Sequence, residues 1–275
     1  MSRPKPGRGA ETEPAAAGPT DEDVILLGIK SQDTAGALDA LRRCTPAGTP
    51  IVCLQNGVDK ERSALRSFRH VYAVCVMCPA AHLEPGVVEQ HSWPVPGMLD
   101  IGRYPYGTDA VSATVSKAFR GAGFESIERP DVMRWKYRKL LMNLGNAVQA
   151  VFHSPGTGEI VKEAQAEGEA CLRAAGIDYA SEDEDLQRRG DILQMKEIPG
   201  HPRGGGSSWQ SLRRGSGTIE SDYLNGEIGL LGRLHDVPTP VNDTLRRLAV
   251  EAAICRDPPG LLSVEQFRDL MQTAG

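Results

Sequence analysis

The first half of the chain alternates short aliphatic runs with amphipathic stretches. Residues 24–29, 50–54 and 71–77 are continuous apolar runs of strand length, which is typical of strands buried on both faces. Helical patterns over about residues 34–43 and 60–68 separate them. Because strands and helices alternate at this spacing, the pattern predicts a parallel sheet with helical crossovers.

Two polar turns follow the first two predicted strands. Lys30-Ser31 comes after the first strand, and Asn56-Gly57 comes after the second. The carboxyl ends of parallel strands meet at one edge of a sheet, and ligands of open α/β folds bind at that edge. We therefore expect both turns to contribute to a binding site.

The pattern changes after Pro130, where strand-like runs give way to helical periodicity. One long helical pattern covers residues 131–152. Further helices are predicted near residues 160–175, 182–196, 217–235, 240–254 and 263–272. The predicted fold class is α/β followed by all-α. Its parts are a disordered tail over 1–22, rich in Gly, Pro and Ala, a partial parallel-sheet domain over 23–129 and a helical domain over 130–275.

Composition and charge exclude several functional classes. The chain has 275 residues, a formal net charge of −5 and no basic run, which argues against nucleic-acid binding and against docking on anionic membranes. Its apolar runs are far shorter than the about 20 residues of a membrane helix. Its first residues lack the apolar segment of a secretory signal, so a cytoplasmic location is expected.

The six cysteines are expected to be free in such a reducing compartment. Cys75 and Cys78 have the spacing of a zinc or redox motif. No second ligand pair of similar spacing is visible, however, and the two lie within an apolar run. We interpret them as small buried hydrophobic residues, and we predict no metal site.

The long helical pattern after Pro130 carries a polar stripe. At about 100° per residue, Asn143 lies about 40° from Lys139 around the helix, and Asn146 lies about 20° from it on the other side. A lysine backed by two carboxamides suits a site for a polar small molecule, because burial lowers the pKa of the lysine and lets it donate a proton near neutrality. Lys136 could fill the same role, and a solvated helix face is the alternative interpretation.

A second candidate is Glu220, which has Tyr223 and Leu224 as helical neighbours on the side expected to pack. A carboxylate in that place could hydrogen-bond a substrate hydroxyl or balance a catalytic ammonium. The alternative is a glutamate that stabilises the amino end of a helix through the helix dipole.

Four segments in order make the chain resemble the ketopantoate reductase family, the NADPH-dependent 2-dehydropantoate 2-reductases. They are Leu27-Gly28-Ile29-Lys30-Ser31, Leu54-Gln55-Asn56-Gly57, Arg138-Lys139-Leu140-Leu141-Met142-Asn143, and Ser207-Ser208 followed by Thr218-Ile219-Glu220-Ser221-Asp222-Tyr223-Leu224-Asn225-Gly226. The resemblance extends over about residues 23–255.

This resemblance implies a Rossmann domain, a helical domain and an active site between them. It implies that Lys139 protonates the carbonyl oxygen of a small 2-keto acid, 2-dehydropantoate, while NADPH delivers hydride and pantoate forms. It further implies a role for Glu220 in holding the substrate hydroxyl and supporting the reaction. Substrate-binding roles are implied for Asn143, Asn146 and Ser208, and cofactor-junction roles for Lys30, Asn56 and Gly57. A homodimer is a further expectation.

The chain departs from the family pattern in two places. Ala147 stands where the family has a second asparagine, and Asn146 is the expected substitute. No strand, glycine-rich turn and helix precede residue 24, since Gly7-Arg8-Gly9 follows no strand. We therefore expect a truncated Rossmann-like domain. Two other hypotheses stay open: a non-catalytic remnant that binds a partner without nucleotide, and a dehydrogenase of another 2-keto or 3-hydroxy acid.

Overall fold

The computed structural model describes residues 12–153 and 155–273. The strands in these residues are β1 (Ile25–Leu27), β2 (Ile51–Cys53), β3 (Val71–Met77), β4 (Ala80–Ala81), β5 (Glu89–Gln90), β6 (Ser92–Pro94), β7 (Met98–Arg103) and β8 (Leu193–Met195). The helices are α1 (Pro14–Ala17), α2 (Thr34–Cys44), α3 (Lys60–Leu65), α4 (Ala110–Gly121), α5 (Val132–Asn143), α6 (Gly145–Val151), α7 (Gly158–Ala174), α8 (Glu182–Arg189), α9 (Ser207–Arg213), α10 (Asn225–Leu234), α11 (Pro240–Cys255) and α12 (Val264–Thr273).

The main sheet has the strand order β1-β2-β3-β7. The first three strands are parallel, with Ile25 opposite Ile51 and Ile51 opposite Val71, which confirms the predicted parallel arrangement for them. Strand β7 is antiparallel to β3. The chain between these two strands contains short strands and no helix, so it does not make the crossover that a parallel neighbour requires. The sheet is therefore mixed.

Burial differs between the centre and the edge of this sheet. All three residues of β2 are fully buried, and helices α2 and α3 pack on one face while α4 packs on the other. Strand β1 lies at the edge within the described part of the chain, and its Leu26 is 49% exposed. The aliphatic runs therefore form buried strands, as their composition indicates, except at this edge.

The second half of the chain packs its helices around one apolar core. Helices α5, α6, α7, α10 and α11 supply most of its side chains, and α12 closes it with Phe267, whose ring lies 5.2 Å from that of Phe152. None of the helices in residues 12–153 and 155–273 has the combination of length and apolar character needed to cross a bilayer.

Three of the predicted helices differ from those observed. The pattern over 131–152 is interrupted at Leu144 and forms α5 and α6. The pattern over 182–196 ends at Arg189, because Gly190 takes a positive φ of 39° and the following residues form β8 against β6. The pattern over 217–235 yields a short 3-10 turn, Glu220–Tyr223, before α10. The second half is thus not purely helical.

Residues 12–22 do not lack structure, in contrast to the predicted disordered tail. They contain α1, which contacts α2, and the Thr49 hydroxyl donates a hydrogen bond of 3.1 Å to the carbonyl of Thr20. The local composition indicates no such contacts, because they are made with residues far along the chain. The remainder of that segment, including Gly7-Arg8-Gly9, lies outside the described residues.

The close approach of Gly102 in β7 to the loop before α5 generates a stability prediction. A Cβ at Gly102 would overlap the Arg129 carbonyl oxygen and lie 2.9 Å from Val132. We expect Gly102→Ala to lower the free energy of unfolding in urea by about 2 kcal/mol or more, because backbone cannot yield as a side chain does. Gly121→Ala is the matched control: it meets nothing within 4 Å and should be neutral or slightly stabilising. Equal effects of the two changes would contradict the packing argument.

Candidate active site

A cavity of about 330 Å³ lies where the carboxyl end of β3 meets the helical half. Its walls come from the end of β3, from α5 and α6, and from the segment between α8 and α9. The lining residues are Asn56, Val76, Met77, Cys78, Pro79, Ala80, Lys139, Met142, Asn143, Asn146, Arg189, Leu193, Met195, Arg203, Gly206, Ser207 and Gln210. A narrow crevice adjoins the cavity and shares Asn56, Val76 and Lys139 with it.

Lys139 lines both the cavity and the crevice. Burial lowers the pKa of its ammonium, and the positive charges of Arg189 and Arg203 lower it further. Within residues 12–153 and 155–273 no hydrogen bond or ion pair holds this side chain. Its ammonium is therefore available to a ligand in the cavity, and it is a stronger acid than an exposed lysine.

Three carboxamides stand beside Lys139. The Asn143 Nδ2 donates to the Asn56 Oδ1 at 3.2 Å, and the Asn146 Nδ2 lies 3.5 Å from the Asn143 Oδ1. Asn56 comes from the turn after β2, whereas the other two come from α5 and α6. The structure thus joins the predicted helical stripe to the predicted strand-end turn, and it places all four residues at one cavity.

Lys136 has a different environment, although it lies on the same helix. Its side chain is 2% exposed, its Nζ lies 2.7 Å from the Glu61 Oε1, and it donates to the carbonyls of Gln55 and Val74 at 2.8 and 3.3 Å. These contacts use the ammonium fully. Lys136 is a structural ion-pair partner, and Lys139 is the lysine that faces the cavity.

Glu220 is not among the residues that line the cavity. Its Oε2 accepts a hydrogen bond of 2.7 Å from the Lys30 Nζ, and its Oε1 accepts from the Ser31 backbone N–H at 3.1 Å and hydroxyl at 2.7 Å. Burial alone raises the pKa of this carboxyl, but Lys30 and Ser31 lower it below its usual value. The carboxylate is ionised and fully paired at the first strand-end turn.

Gly57 lies in the crevice and has a positive φ of 78°. A Cβ there would lie 2.5 Å from the Lys60 Nζ and 3.0 Å from the Tyr223 carbonyl oxygen. Lys60 is itself fully buried, with its Nζ 4.8 Å from the centre of the Tyr223 ring, and burial lowers its pKa. Glycine is therefore required here by backbone conformation and by close packing against the 3-10 turn that carries Glu220.

Ser208 is also displaced from the cavity. It is 2% exposed, and its hydroxyl has no hydrogen-bond partner in the part of the chain that the structure describes, while the preceding residue, Ser207, lines the cavity. The spacing of the serines alone does not decide which of them faces the site, because consecutive helical residues point about 100° apart.

Two arginines at the cavity, Arg189 and Arg203, were not among the candidates from the sequence. Arg203 directly precedes the glycine run 204–206, which packs closely: a Cβ at Gly205 would lie 2.6 Å from Trp209, and the Gly206 N–H donates to the Gln149 Oε1 at 2.8 Å. That run was the available signal, since three glycines in a row indicate a close backbone approach.

The six cysteines are free, as expected. Cys75 is buried, and burial raises the pKa of its thiol to about 11, which fits the interpretation as a small apolar residue. The same interpretation is wrong for Cys78, which is exposed and lines the cavity because β3 ends one residue earlier.

Comparison with known proteins identifies the family. Residues 7–106 match the model described as Ketopantoate reductase PanE/ApbA, and residues 131–252 match the one described as Ketopantoate reductase PanE/ApbA C terminal. A protein of Halobacterium salinarum named 2-dehydropantoate 2-reductase is 30% identical over 252 residues, which cover 86% of this chain and 77% of the relative. The chain belongs to the ketopantoate reductase family.

Solved structures agree with this assignment at the level of the fold. A ketopantoate reductase from Ralstonia eutropha superposes with a TM-score of 0.67 at 24% identity, covering 85% of this chain and 76% of that one. A D-mandelate dehydrogenase in complex with NADH and anilino(oxo)acetate superposes with a TM-score of 0.70 at 20% identity, covering 85% and 77%. The chain is accordingly an oxidoreductase of the ketopantoate reductase type, with a Rossmann-like mixed sheet followed by a helical part.

The family match also bears on the expected truncation. The N-terminal model matches from residue 7, so the match includes most of the segment that we expected to lie outside the family pattern, and it gives no support to the expected truncation. The composition of that segment, rich in Gly, Pro and Ala, conceals the relationship because it lacks apolar periodicity.

The two lysines of α5 should respond differently to removal of their charge. We expect Lys136→Met to lower the free energy of unfolding by about 3–5 kcal/mol, because it leaves the Glu61 carboxylate buried without its counter-charge. Lys139→Met is the matched control and should change stability by less than about 1 kcal/mol, since methionine is similar in length and no ion pair is lost. Urea unfolding measures both. Similar losses in the two variants would contradict the assigned roles.

Proposed function

We propose that this member of the ketopantoate reductase family reduces a 2-keto acid to the corresponding 2-hydroxy acid, with a proton from Lys139 and NADPH as the cofactor. The observation that carries the proposal is the Lys139 ammonium, which faces a cavity beside three carboxamides and has no hydrogen-bond or ion-pair partner among the described residues. A ketone becoming an alkoxide needs such an acid at its oxygen.

Each residue at this end of the cavity has a distinct task in the proposed reaction. Lys139 donates its proton to the carbonyl oxygen of the substrate, and its lowered pKa makes that transfer easier than from an exposed lysine. Asn143 and Asn146 offer amide groups to the oxygens of the 2-keto acid. Asn56 fixes Asn143 through their hydrogen bond, so that the amides are oriented before the substrate arrives.

The residues after β1 and β2 fit the nicotinamide end of a dinucleotide. Asn56 and Gly57 line the crevice that reaches Lys139, and the turn with Lys30 lies at the same edge of the parallel strands. A bound nicotinamide supplies the hydride. Lys30 and Ser31 hold Glu220 at that edge, and the Lys30–Glu220 ion pair adds no net charge there.

The proposed reference substrate is 2-dehydropantoate, which would give pantoate. The name of the 30% identical relative supports this choice, as does the resemblance of the ordered motifs. Because the D-mandelate dehydrogenase complex contains NADH, the rates with NADPH and with NADH should be compared directly. A homodimer and a cytoplasmic location stay predictions from the sequence.

The first test concerns the proton donor. We expect Lys139→Ala to lower kcat for 2-dehydropantoate by at least about a hundredfold, because a positioned general acid contributes that much or more. The wild-type rate should fall at alkaline pH, with a midpoint below the ordinary lysine value, since deprotonation of Lys139 removes the acid. The small residual rate of the Lys139→Ala variant should not show this decrease at alkaline pH. Lys162→Ala, an exposed lysine paired only with Glu159, serves as the control. A near-normal kcat in the Lys139 variant would refute the assignment.

The second test concerns the cofactor. We expect calorimetric titration of this chain with NADPH to show binding in the micromolar range, and Lys30→Ala to weaken it about tenfold by disturbing the first strand-end turn. Lys117→Ala, on the exposed side of α4, should leave binding unchanged. Absence of binding at millimolar NADPH by the folded protein would favour a non-catalytic binding protein instead.

A further inference from the structure

The charges around the cavity are unbalanced. Its lining includes three basic residues, Lys139, Arg189 and Arg203, and none of the described residues that line it is acidic. Arg189 is neutralised by the Asp185 carboxylate, which is 2% exposed and lies 2.7 and 2.9 Å from two of its nitrogens. Arg203 has no acidic partner in the part of the chain that the structure describes. The cavity therefore offers one permanently charged, uncompensated cation in addition to Lys139.

Arg203 and Lys139 lie at different sides of the cavity. Lys139 stands where the cavity joins the crevice, with Asn56 and Val76. Arg203 stands where the cavity joins a second one, of about 730 Å³, with which it shares only Arg203 and Met195. The crevice and the second cavity have no lining residue in common. A ligand whose carbonyl meets Lys139 thus reaches Arg203 with its far end.

The segment that carries Arg203 is held in place. Gly204 and Gly205 pack against Trp209, and the Gly206 N–H donates a hydrogen bond to Gln149 of α6. Partial burial lowers the pKa of the Arg203 guanidinium, and a partly desolvated arginine attracts a carboxylate more strongly than one in bulk water. Arginine also offers the forked donors that match a carboxylate.

None of the described residues that line the cavity is a carboxylate that could accept a hydrogen bond from a substrate hydroxyl. The motif resemblance assigns that task to Glu220, but both of its oxygens are occupied by Lys30 and Ser31, and it does not line the cavity. Arg203 therefore gives the cavity itself a positive charge at the end remote from Lys139, although Glu197 lines the adjoining cavity, and this charge favours an anionic group there.

We propose that the substrate of this chain is a 2-keto acid with a second carboxylate remote from the carbonyl, and that Arg203 binds that carboxylate. This inference rests on the proposed reduction of a 2-keto acid, and it replaces the reference substrate 2-dehydropantoate by a dicarboxylate as the preferred one. The reaction itself is unchanged: the carbonyl carbon gains hydride from NADPH, its oxygen gains a proton from Lys139, and NADP⁺ and a hydroxy-dicarboxylate are formed. Arg203 takes no part in bond making.

A pair of substrates that differ only in the remote carboxylate tests the inference. These are 2-oxoglutarate and the monoacid 2-oxopentanoate, with 2-dehydropantoate as reference. We expect kcat/KM for 2-oxoglutarate to exceed that for 2-oxopentanoate and 2-dehydropantoate by about ten- to hundredfold. This factor corresponds to the binding free energy of one hydrogen-bonded pair of opposite charges. Arg203→Met should abolish that preference, mostly by raising KM for 2-oxoglutarate. Arg213→Met, an exposed arginine of α9 that does not line the cavity, should behave as wild type.

The outcomes separate this inference from the proposed function. Preference for 2-dehydropantoate or 2-oxopentanoate, or an equal effect of Arg203→Met on all three acids, overturns the inference and leaves the reductase proposal standing. If none of the three acids leads to oxidation of NADPH, the reductase proposal fails. Calorimetric titration with 2-oxoglutarate, without NADPH, then tests whether Arg203 binds a carboxylate. Binding that Arg203→Met weakens at least tenfold, and Arg213→Met does not, supports the anion site. Absence of such binding overturns it.

Discussion

The buried ammonium of Lys136 is the contact on which the arrangement of the site depends. It joins α5 to the Glu61 carboxylate of α3, to the Gln55 carbonyl just after β2 and to the Val74 carbonyl in the middle of β3. A charge with these partners cannot leave without stranding an ionised carboxylate in the interior, so α5 is fixed across the carboxyl edge of the sheet. The side chain of Gln55 extends the link, because it donates to the Ile29 carbonyl at 2.9 Å beside the first turn.

That constraint explains why two lysines of one helix have unlike chemistry. Because the Lys136 ammonium is bound by groups of the sheet and α3, Lys139, three residues later, is the lysine that reaches the cavity, and no described residue pairs with its ammonium. Two acidic groups that could have neutralised the site are occupied elsewhere: Glu220 by Lys30 and Asp185 by Arg189. The site therefore keeps a positive character although the whole chain is acidic, which suits anionic keto acids.

The two halves of the molecule contact each other in more than one place. Strand β8, from the second half, pairs with β6, from the excursion between β3 and β7, and Arg188 of α8 donates to Asp100 of β7 at 2.7 and 3.0 Å. These contacts position the segment that includes Arg189 and Arg203 beside the end of β3. A division at residue 129 describes the chain order well, but the cavity needs parts from both sides.

The sequence by itself determined the features that depend on near neighbours. Aliphatic runs predicted β1, β2 and β3, and helical spacing put Lys139, Asn143 and Asn146 on one stripe, because periodicity is a local property of the backbone. Tertiary structure alone decided which lysine faces the cavity and where Glu220 finds its partners. It also decided that Ser207 and not Ser208 lines the wall, and that Arg203 lines the same cavity as Lys139. The partners of Lys136 and Glu220 lie 62 to 190 residues away, and local patterns carry no record of contacts at that distance.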